Sequence, residues 1–282
     1  MADPGTDTPT RPASAGPVAR ATLPDGPPLL TWLLRAADDN LVLAQRLGEL
    51  IASMPELEED IAVANLALDH LGQARNLYQY ASELDGPARA ERGLPARTED
   101  DLAMTRSERE YLNAVLVEQP NGDFAVTTVR QLLVDAYQVP LYGALTTSTD
   151  ERLAGIAAKA LKEARYHLEH SSSWTVILGD GTAESNRRAQ AAIDELWPYR
   201  TDLFATDEVE EELAAAGVVP DPASLRPAFD QTVAAVLAEA KLTMPDDPYE
   251  RIGGRTGFHT AHLGHLLPEM QWLYRSDPNA RW

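Results

Sequence analysis

The chain has 282 residues, of which 44% are hydrophobic, so it has both the length and the apolar content for a substantial core. Its 44 acidic residues outnumber 24 Lys and Arg, and the net charge of -20 argues against binding to nucleic acid or anionic lipid. It contains no cysteine, which excludes disulfides, thiolate nucleophiles and cysteine-bound metal clusters. We therefore expect a cytoplasmic protein that neither spans a membrane nor binds nucleic acid.

The first 28 residues differ from the rest of the chain because they are rich in proline and lack an apolar segment. This composition predicts a disordered Pro-rich tail over residues 1–28 and not a signal peptide. The remainder, 29–282, is expected to form a single helical domain.

From Leu29 onward, apolar residues recur at a spacing of about 3.6, which predicts helices. The predicted helices cover 29–53, 56–84, 107–117, 124–145, 150–178, 183–203, 207–215, 222–242 and 259–274. Thr105 is expected to cap the short helix at 107–117, and glycine and proline predict a loop over 87–101. Because strand alternation is almost absent, the fold class is all-α. The long helices form two pairs, and the short connection within each pair makes its helices antiparallel.

The helix at 150–178 carries a motif that looks like one half of a carboxylate-bridged di-iron site. In such four-helix bundles, two helices each supply one carboxylate and the other two each supply Glu-x-x-His. The i, i+3 spacing places carboxylate and imidazole on one helical face, so both point into the bundle core. Here Ala164 stands three residues before His167, in the position of the glutamate.

Extending this frame to all four long helices assigns six ligand positions. They hold Asn40, His70, Gln73, Asp135, Ala164 and His167. A shift of the first helix pair by one residue places Asp69 and Gly72 there instead. Neither register gives Glu-x-x-His, and two bridged irons need several anionic oxygens. We therefore expect no catalytic residue and no metal in this chain, and interpret the six positions as a vestigial polar patch in the bundle core.

Several longer motifs are similar to those of a known family. They include Ala-Leu-Asp-His-Leu-Gly-Gln-Ala-Arg-Asn, Val-Glu-Gln-Pro-Asn-Gly-Asp-Phe-Ala, Lys-Glu-Ala-Arg-Tyr-His-Leu and Gly-Phe-His-Thr-Ala-His-Leu-Gly. The motifs lie at 39–49, 67–76, 105–109, 117–125, 162–168 and 257–264. Through them, over roughly 29–275, the chain resembles the PaaC family. It departs from the family at Ala261, where an acid is frequent, and in a longer loop at 86–100.

The resemblance implies a ferritin-like four-helix bundle with additional C-terminal helices. It also implies a structural, non-catalytic subunit of a multicomponent phenylacetyl-CoA 1,2-epoxidase in aerobic phenylacetate degradation. The implied partners are a homologous PaaA-like catalytic subunit that holds the di-iron centre, a further small subunit, and an NADPH-dependent flavin/iron–sulfur reductase. The alternative is a metal-binding ferritin-like protein with its own oxidase or iron-handling activity.

Two further groups of residues have a functional and a structural interpretation. One group is a basic and polar island that is a candidate to contact the CoA part of the substrate. It consists of Arg106, Arg109, Glu110, Tyr111 and Asn113. Surface ion pairing of the arginines with Glu108 and Glu110 is the favoured alternative. The histidines at 259, 262 and 265 recur at i, i+3 and i+6, which is compatible with zinc or nickel. Packing and capping roles are favoured for His259, His262 and His265.

Overall fold

The computed structural model describes residues 24–246 and 249–277, and over these ranges it contains nine α-helices and no β-strand. The helices are α1 Pro28–Gly48, α2 Leu57–Ala90, α3 Glu99–Met104, α4 Phe124–Leu145, α5 Glu151–Gly179, α6 Ala183–Leu196, α7 Glu208–Ala215, α8 Pro222–Glu239 and α9 Ala261–Ser276. The predicted all-α fold is thus confirmed. The predicted tail over 1–28 lies, up to residue 23, outside the described residues. No helix of the described ranges is long and apolar enough to cross a membrane.

The four long helices form the bundle, in which α1 packs on α2 and α4 packs on α5. One helix of each pair is heavily covered, since 16 of the 21 residues of α1 and 16 of the 22 residues of α4 are buried. Helix α7 packs on α1, α6 and α8 pack on both α4 and α5, and α3 packs on α2. The other helix of each pair is covered less, because only 10 of 34 residues of α2 and 8 of 29 residues of α5 are buried. Much of the outward surface of α2 and α5 therefore stays open to solvent.

Aspartate caps determine where the second pair of helices begins. The Asp123 carboxylate accepts hydrogen bonds from the amides of Ala125 and Val126, at 3.0 and 3.1 Å. The Asp150 carboxylate accepts one from the amide of Leu153 at 2.8 Å. These bonds satisfy amides that have no partner within the helix. The predicted range of α4, 124–145, is confirmed.

The first pair of helices differs from its predicted boundaries. Helix α1 ends at Gly48 and not at residue 53, because Ala52 has a left-handed φ of 69°, which a helix does not accommodate. Helix α2 continues through Pro87 to Ala90, into the predicted loop. The helix makes one more turn after Pro87, in which the amide of Glu91 donates to the Pro87 carbonyl at 3.1 Å.

The segment 107–117 is largely not a helix, although its pattern predicts one. Only Glu108–Glu110 form a single 3₁₀ turn. It is capped by Ser107 and not by Thr105, since the Glu110 carboxylate accepts from both the amide and the hydroxyl of Ser107, at 2.8 and 2.7 Å.

Distant carboxylates satisfy the backbone after this turn. The amide of Leu112 donates to Asp38 at 2.7 Å, and the amide of Ala114 donates to Asp39 at 2.7 Å. The amide of Val115 donates to Asp202 at 2.9 Å. These bonds take the place of helical ones, so the buried segment 111–114 is satisfied without a helix before the turns at 115–118.

Arginines neutralise two of these buried carboxylates. Arg106 pairs with Asp38, and Arg255 donates to both oxygens of Asp39 at 2.9 and 2.8 Å. Arg255 follows Gly254, whose close approach to the backbone of residues 113–115 requires glycine. A Cβ atom at Gly254 would lie 2.0 Å from the carbonyl oxygen of Asn113. The C-terminal part of the chain thus closes onto α1.

Two later helices are shorter than predicted, and a third, α9, has the predicted length but begins two residues later. Helix α6 ends at Leu196, after which Trp197–Phe204 continue as a 3₁₀ helix. Helix α8 ends at Glu239, just before Lys241 takes a left-handed φ of 57°. Helix α9 begins at Ala261, so His259 precedes the helix.

Candidate functional site

The bundle buries all six positions that the di-iron frame assigned. Helix α1 places Asn40, α2 places His70 and Gln73, α4 places Asp135, and α5 places Ala164 and His167. The five polar members belong to one cluster. One nitrogen of each imidazole and one Asp135 oxygen lie within 4.8 Å of one another. The hydroxyl of Tyr142 connects the other two, since it accepts from Asn40 at 3.1 Å and donates to Gln73 at 2.9 Å.

His70 is held by side chains on two helices. Its Nδ1 lies 2.9 Å from the Asn40 carbonyl oxygen, so this nitrogen carries the proton. Its Nε2 lies 3.1 Å from the amide nitrogen of Gln131 and accepts from it. Burial, and the nearby imidazole of His167, lower the pKa of His70 well below its usual value. His70 is therefore a neutral imidazole with its lone pair on Nε2.

His167 is bonded on its outer side only. Its Nε2 lies 3.1 Å from an oxygen of Asp69, a carboxylate at the edge of the bundle. Its Nδ1 is buried and has no hydrogen-bond partner in the part of the chain that the structure describes. The rings of His70 and His167 are 4.9 Å apart. Burial lowers the pKa of His167, although Asp69 opposes this effect.

Asp135 is a buried carboxylate whose hydrogen-bond partners are neutral. It accepts from the hydroxyl of Ser171 at 2.8 Å and from the amide of Gln131 at 3.2 Å. Burial raises the pKa of Asp135 to about 8, although both hydrogen bonds act in the opposite direction. An isolated buried carboxylate of this kind is unfavourable unless it is protonated or a cation approaches it.

The donor set does not fit the pair of irons that a ferritin-like bundle typically holds. Asp135 is the one carboxylate among the six positions, whereas a bridged pair needs several anionic oxygens. Ala164 supplies no donor atom. The amide nitrogen of Gln131 lies between His70 and Asp135, where it donates to both.

Sequence reasoning missed two side chains that complete the cluster. Gln131 lies four residues before Asp135, and Ser171 lies four residues after His167. This i, i+4 spacing places each on the same helical face as its neighbour, so it was a usable signal. Asp69 appeared only in the shifted register, and the structure places it beside His167 at the rim of the cluster.

The polar island is divided between the interior and the surface. Tyr111 and Asn113 are fully buried, so neither reaches a ligand from solvent. Arg106 is buried as well and pairs with Asp38, whereas surface pairing with glutamates was the favoured interpretation. Arg109 is exposed and stacks on the ring of Phe258 at 4.5 Å. A cavity of about 310 Å³ is lined by Arg89, Arg92, Arg97, Arg106, Arg109, Glu110, Asp85, Asp25, Leu34 and Pro24.

The three C-terminal histidines do not converge. His259 lies between the Glu118 carboxylate and the carbonyl of Tyr111, each 2.8 Å from one ring nitrogen. Although burial alone would lower the pKa of His259, the hydrogen bond to Glu118 raises it. His262 and His265 are exposed on α9. Within the described residues the three form no group with metal-ligand spacing.

The fold and the cluster define a class of four-helix-bundle proteins, and comparisons with known proteins identify the family. The family model described as "Phenylacetic acid catabolic protein" (PaaA_PaaC) matches residues 19–282, so the chain belongs to this family. It is 47% identical over 254 residues to the C subunit of the 1,2-phenylacetyl-CoA epoxidase of Escherichia coli (strain K12). The match covers 90% of this chain and 99% of that relative.

Proposed function

We propose that this chain is a non-catalytic subunit of a phenylacetyl-CoA epoxidase and that it stabilises a homologous di-iron subunit. The observation that carries the proposal is the donor set of the core. This chain belongs to the family, yet its bundle core has one carboxylate where a di-iron centre needs several. The similarity to the C subunit of such an epoxidase supports the assignment to the same complex. Oxidation of the substrate then takes place in the partner subunit, with electrons from an NADPH-dependent reductase.

The open side of the bundle supports a partner of the same helical type. On α2, Leu57, Ile61 and Leu68 are 70%, 56% and 63% exposed. On α5, Tyr166 and Ile177 are 55% and 56% exposed. Apolar side chains along two adjacent helices are typical of a protein–protein contact. An obligate interface of this kind buries on the order of 2,000 Å² or more.

The alternative function, a metal-dependent oxidase or iron-handling protein, needs two irons that this core does not fit. The two functions are separated by iron content. After anaerobic loading with ferrous iron, the isolated chain is expected to hold no di-iron pair. Two tightly bound irons per chain would establish the alternative.

The proposal is tested by reconstitution with the catalytic subunit. Co-expression followed by size-exclusion chromatography should give a stable complex, and phenylacetyl-CoA turnover should require both chains and the reductase. The double variant Ile61→Arg/Leu68→Arg should abolish co-elution. Leu273→Arg on α9 is the matched control, since this leucine is 53% exposed on another helix.

A second set of variants tests the non-catalytic role. His167→Ala should leave turnover per assembled complex largely intact, because chemistry takes place in the partner. Full activity of the catalytic subunit without this chain would contradict the stabilising role. Loss of chemistry in an intact His167→Ala complex would contradict the non-catalytic role.

We also propose that the arginine-lined cavity is the place where this chain contacts the CoA part of the substrate. Five arginines and three carboxylates line it, and Asp38 neutralises one of the arginines, Arg106, so one positive charge remains in excess within an acidic protein. Arginine suits phosphate because its planar guanidinium donates two parallel hydrogen bonds. Arg109→Ala should raise KM for phenylacetyl-CoA without changing kcat. An unchanged KM would remove the cavity from the substrate path.

A further inference from the structure

We propose that His70, Asp135 and His167 form a binding site for a single divalent cation of the zinc class, with the amide oxygen of Gln131 as a fourth ligand. The site goes beyond the proposed function, because one ion cannot replace a pair of irons. Its role is to hold α2, α4 and α5 together, since the three residues come from these three helices.

The outer nitrogen of each imidazole is already bound to an oxygen. Nδ1 of His70 donates to Asn40 at 2.9 Å, and Nε2 of His167 donates to Asp69 at 3.1 Å. Metal-binding histidines typically donate their second nitrogen to a carbonyl or carboxylate, which fixes the tautomer and the ring orientation. Nε2 of His70 and Nδ1 of His167 therefore carry the lone pairs that a cation can bind. The second of these is buried and has no hydrogen-bond partner in the described ranges.

The Gln131 amide lies where a fourth ligand would stand, beside His70 and Asp135. Its amide nitrogen donates to Nε2 of His70 at 3.1 Å and to Asp135 at 3.2 Å, as a cation would attract both. Its amide oxygen is buried and unpaired within the described part of the chain. Rotation of the amide by half a turn exchanges these two atoms and turns the oxygen toward the ligands. That orientation is repulsive without a cation and favourable with one.

The donor chemistry selects the ion. Two imidazole nitrogens, one carboxylate oxygen and one amide oxygen match the four-coordinate nitrogen and oxygen sites of Zn²⁺. One nitrogen of each imidazole and one Asp135 oxygen lie within 4.8 Å of one another, whereas atoms at about 2.1 Å from zinc are about 3.4 Å apart. Small side-chain rotations must therefore draw the ligands together. A cation also removes the cost of burying Asp135 beside neutral partners alone.

The test measures ion binding by the full-length chain, with Zn²⁺ in calorimetry and Co²⁺ in absorption spectroscopy. The wild-type chain should bind one ion, with the intense visible bands of tetrahedral Co²⁺. His167→Ala should weaken binding by at least about 100-fold, and Asp69→Asn by about 10–100-fold, because the latter removes an orienting partner only. Asp135→Asn keeps the shape of the core while removing the anionic ligand, so it should also abolish tight binding.

His170→Ala is the matched control, because His170 lies three residues further along α5 and contacts Glu59 at 3.0 Å. It should bind the ion like the wild type, and all variants should be compared at equal helicity by circular dichroism. Equal binding by wild type, His167→Ala and Asp135→Asn would overturn the site, as would no binding at millimolar Zn²⁺. Neither result affects complex formation with the catalytic subunit, so the proposed function is tested separately.

Discussion

Replacing Arg106 with methionine tests whether this arginine serves the core or the substrate. Arg106 is buried and donates to Asp38 at 2.9 Å through one nitrogen, with a second, closer contact to the same carboxylate. The guanidinium also donates to the carbonyls of Leu102 and Glu110, at 2.5 and 2.8 Å. It stacks on the ring of Tyr111 at 4.4 Å. Methionine fills similar space and removes every one of these bonds.

The expected cost follows from what is left behind. Asp38 stays completely buried and keeps the Leu112 amide and the Tyr78 hydroxyl as donors, but it loses its cation. Removing one partner of a buried ion pair costs about 3–5 kcal/mol, because the remaining charge has no compensation. For a protein of this size, that corresponds to a fall in melting temperature of roughly 6–20 °C.

Urea unfolding followed by circular dichroism measures this loss in the isolated chain. The double variant Asp38→Asn/Arg106→Met should be less destabilised than the sum of the two single variants by about 1–3 kcal/mol, because the neutral amide needs no cation. Arg109→Met is the control, since Arg109 is exposed and should change stability by at most about 0.5 kcal/mol.

A loss below about 1 kcal/mol for Arg106→Met would refute a structural role, since leaving Asp38 buried without its cation should cost about 3–5 kcal/mol. A raised KM for phenylacetyl-CoA in a complex of unchanged stability would refute it as well. That second outcome would assign Arg106 to substrate binding.

Two further predictions concern the C-terminal part of the core. Because the pKa of His259 is raised in the folded state, its contribution to stability is complete below about pH 6.5 and is lost as the pH rises through the folded-state value. Glu118→Gln should therefore destabilise the chain most at low pH, and its difference from wild type in free energy of unfolding should become smaller as the pH rises. Urea titrations at several pH values measure this difference. A difference that does not change with pH would contradict the role of His259. Gly254→Ala should cost about 3 kcal/mol or prevent folding, because the new Cβ would lie 2.0 Å from the Asn113 carbonyl oxygen. Gly143→Ala, at a helical glycine with open space around it, should be neutral or stabilising by about 0.5–1 kcal/mol when both variants are compared by thermal melts.

The sequence predicted helices best where local signals were complete. The predicted bounds of helix α4 match the structure, in which the Asp123 side chain caps its start and buried residues continue past Pro140 to Leu145. The segment 107–117 was misassigned for a physical reason. Its apolar residues report burial correctly, but the carboxylates that take its amides lie on α1 and at Asp202, far away in the sequence. Periodicity carries no information about such partners.

The candidate site was predicted as positions and not as contacts. The spacing of His70, Asp135 and His167 was enough to place them in one core, because helix pairing and period fix which residues face inward. The direction of each imidazole was not predictable, since it depends on Asn40, Asp69 and Gln131. Those partners are ordinary polar residues, and only the packed structure shows which ring nitrogen each one contacts.

The closure of the C-terminal part of the chain onto α1 has a consequence for the order of folding. Asp39 finds its cation in Arg255, which is 216 residues later in the chain. Synthesis from the N-terminus therefore completes all four long helices before that cation exists, and contacts so distant in sequence form late. Until then α1 carries the uncompensated charge of Asp39 on a surface that is buried in the folded protein. A chain that stops before Gly253 keeps the whole bundle and still cannot finish its core.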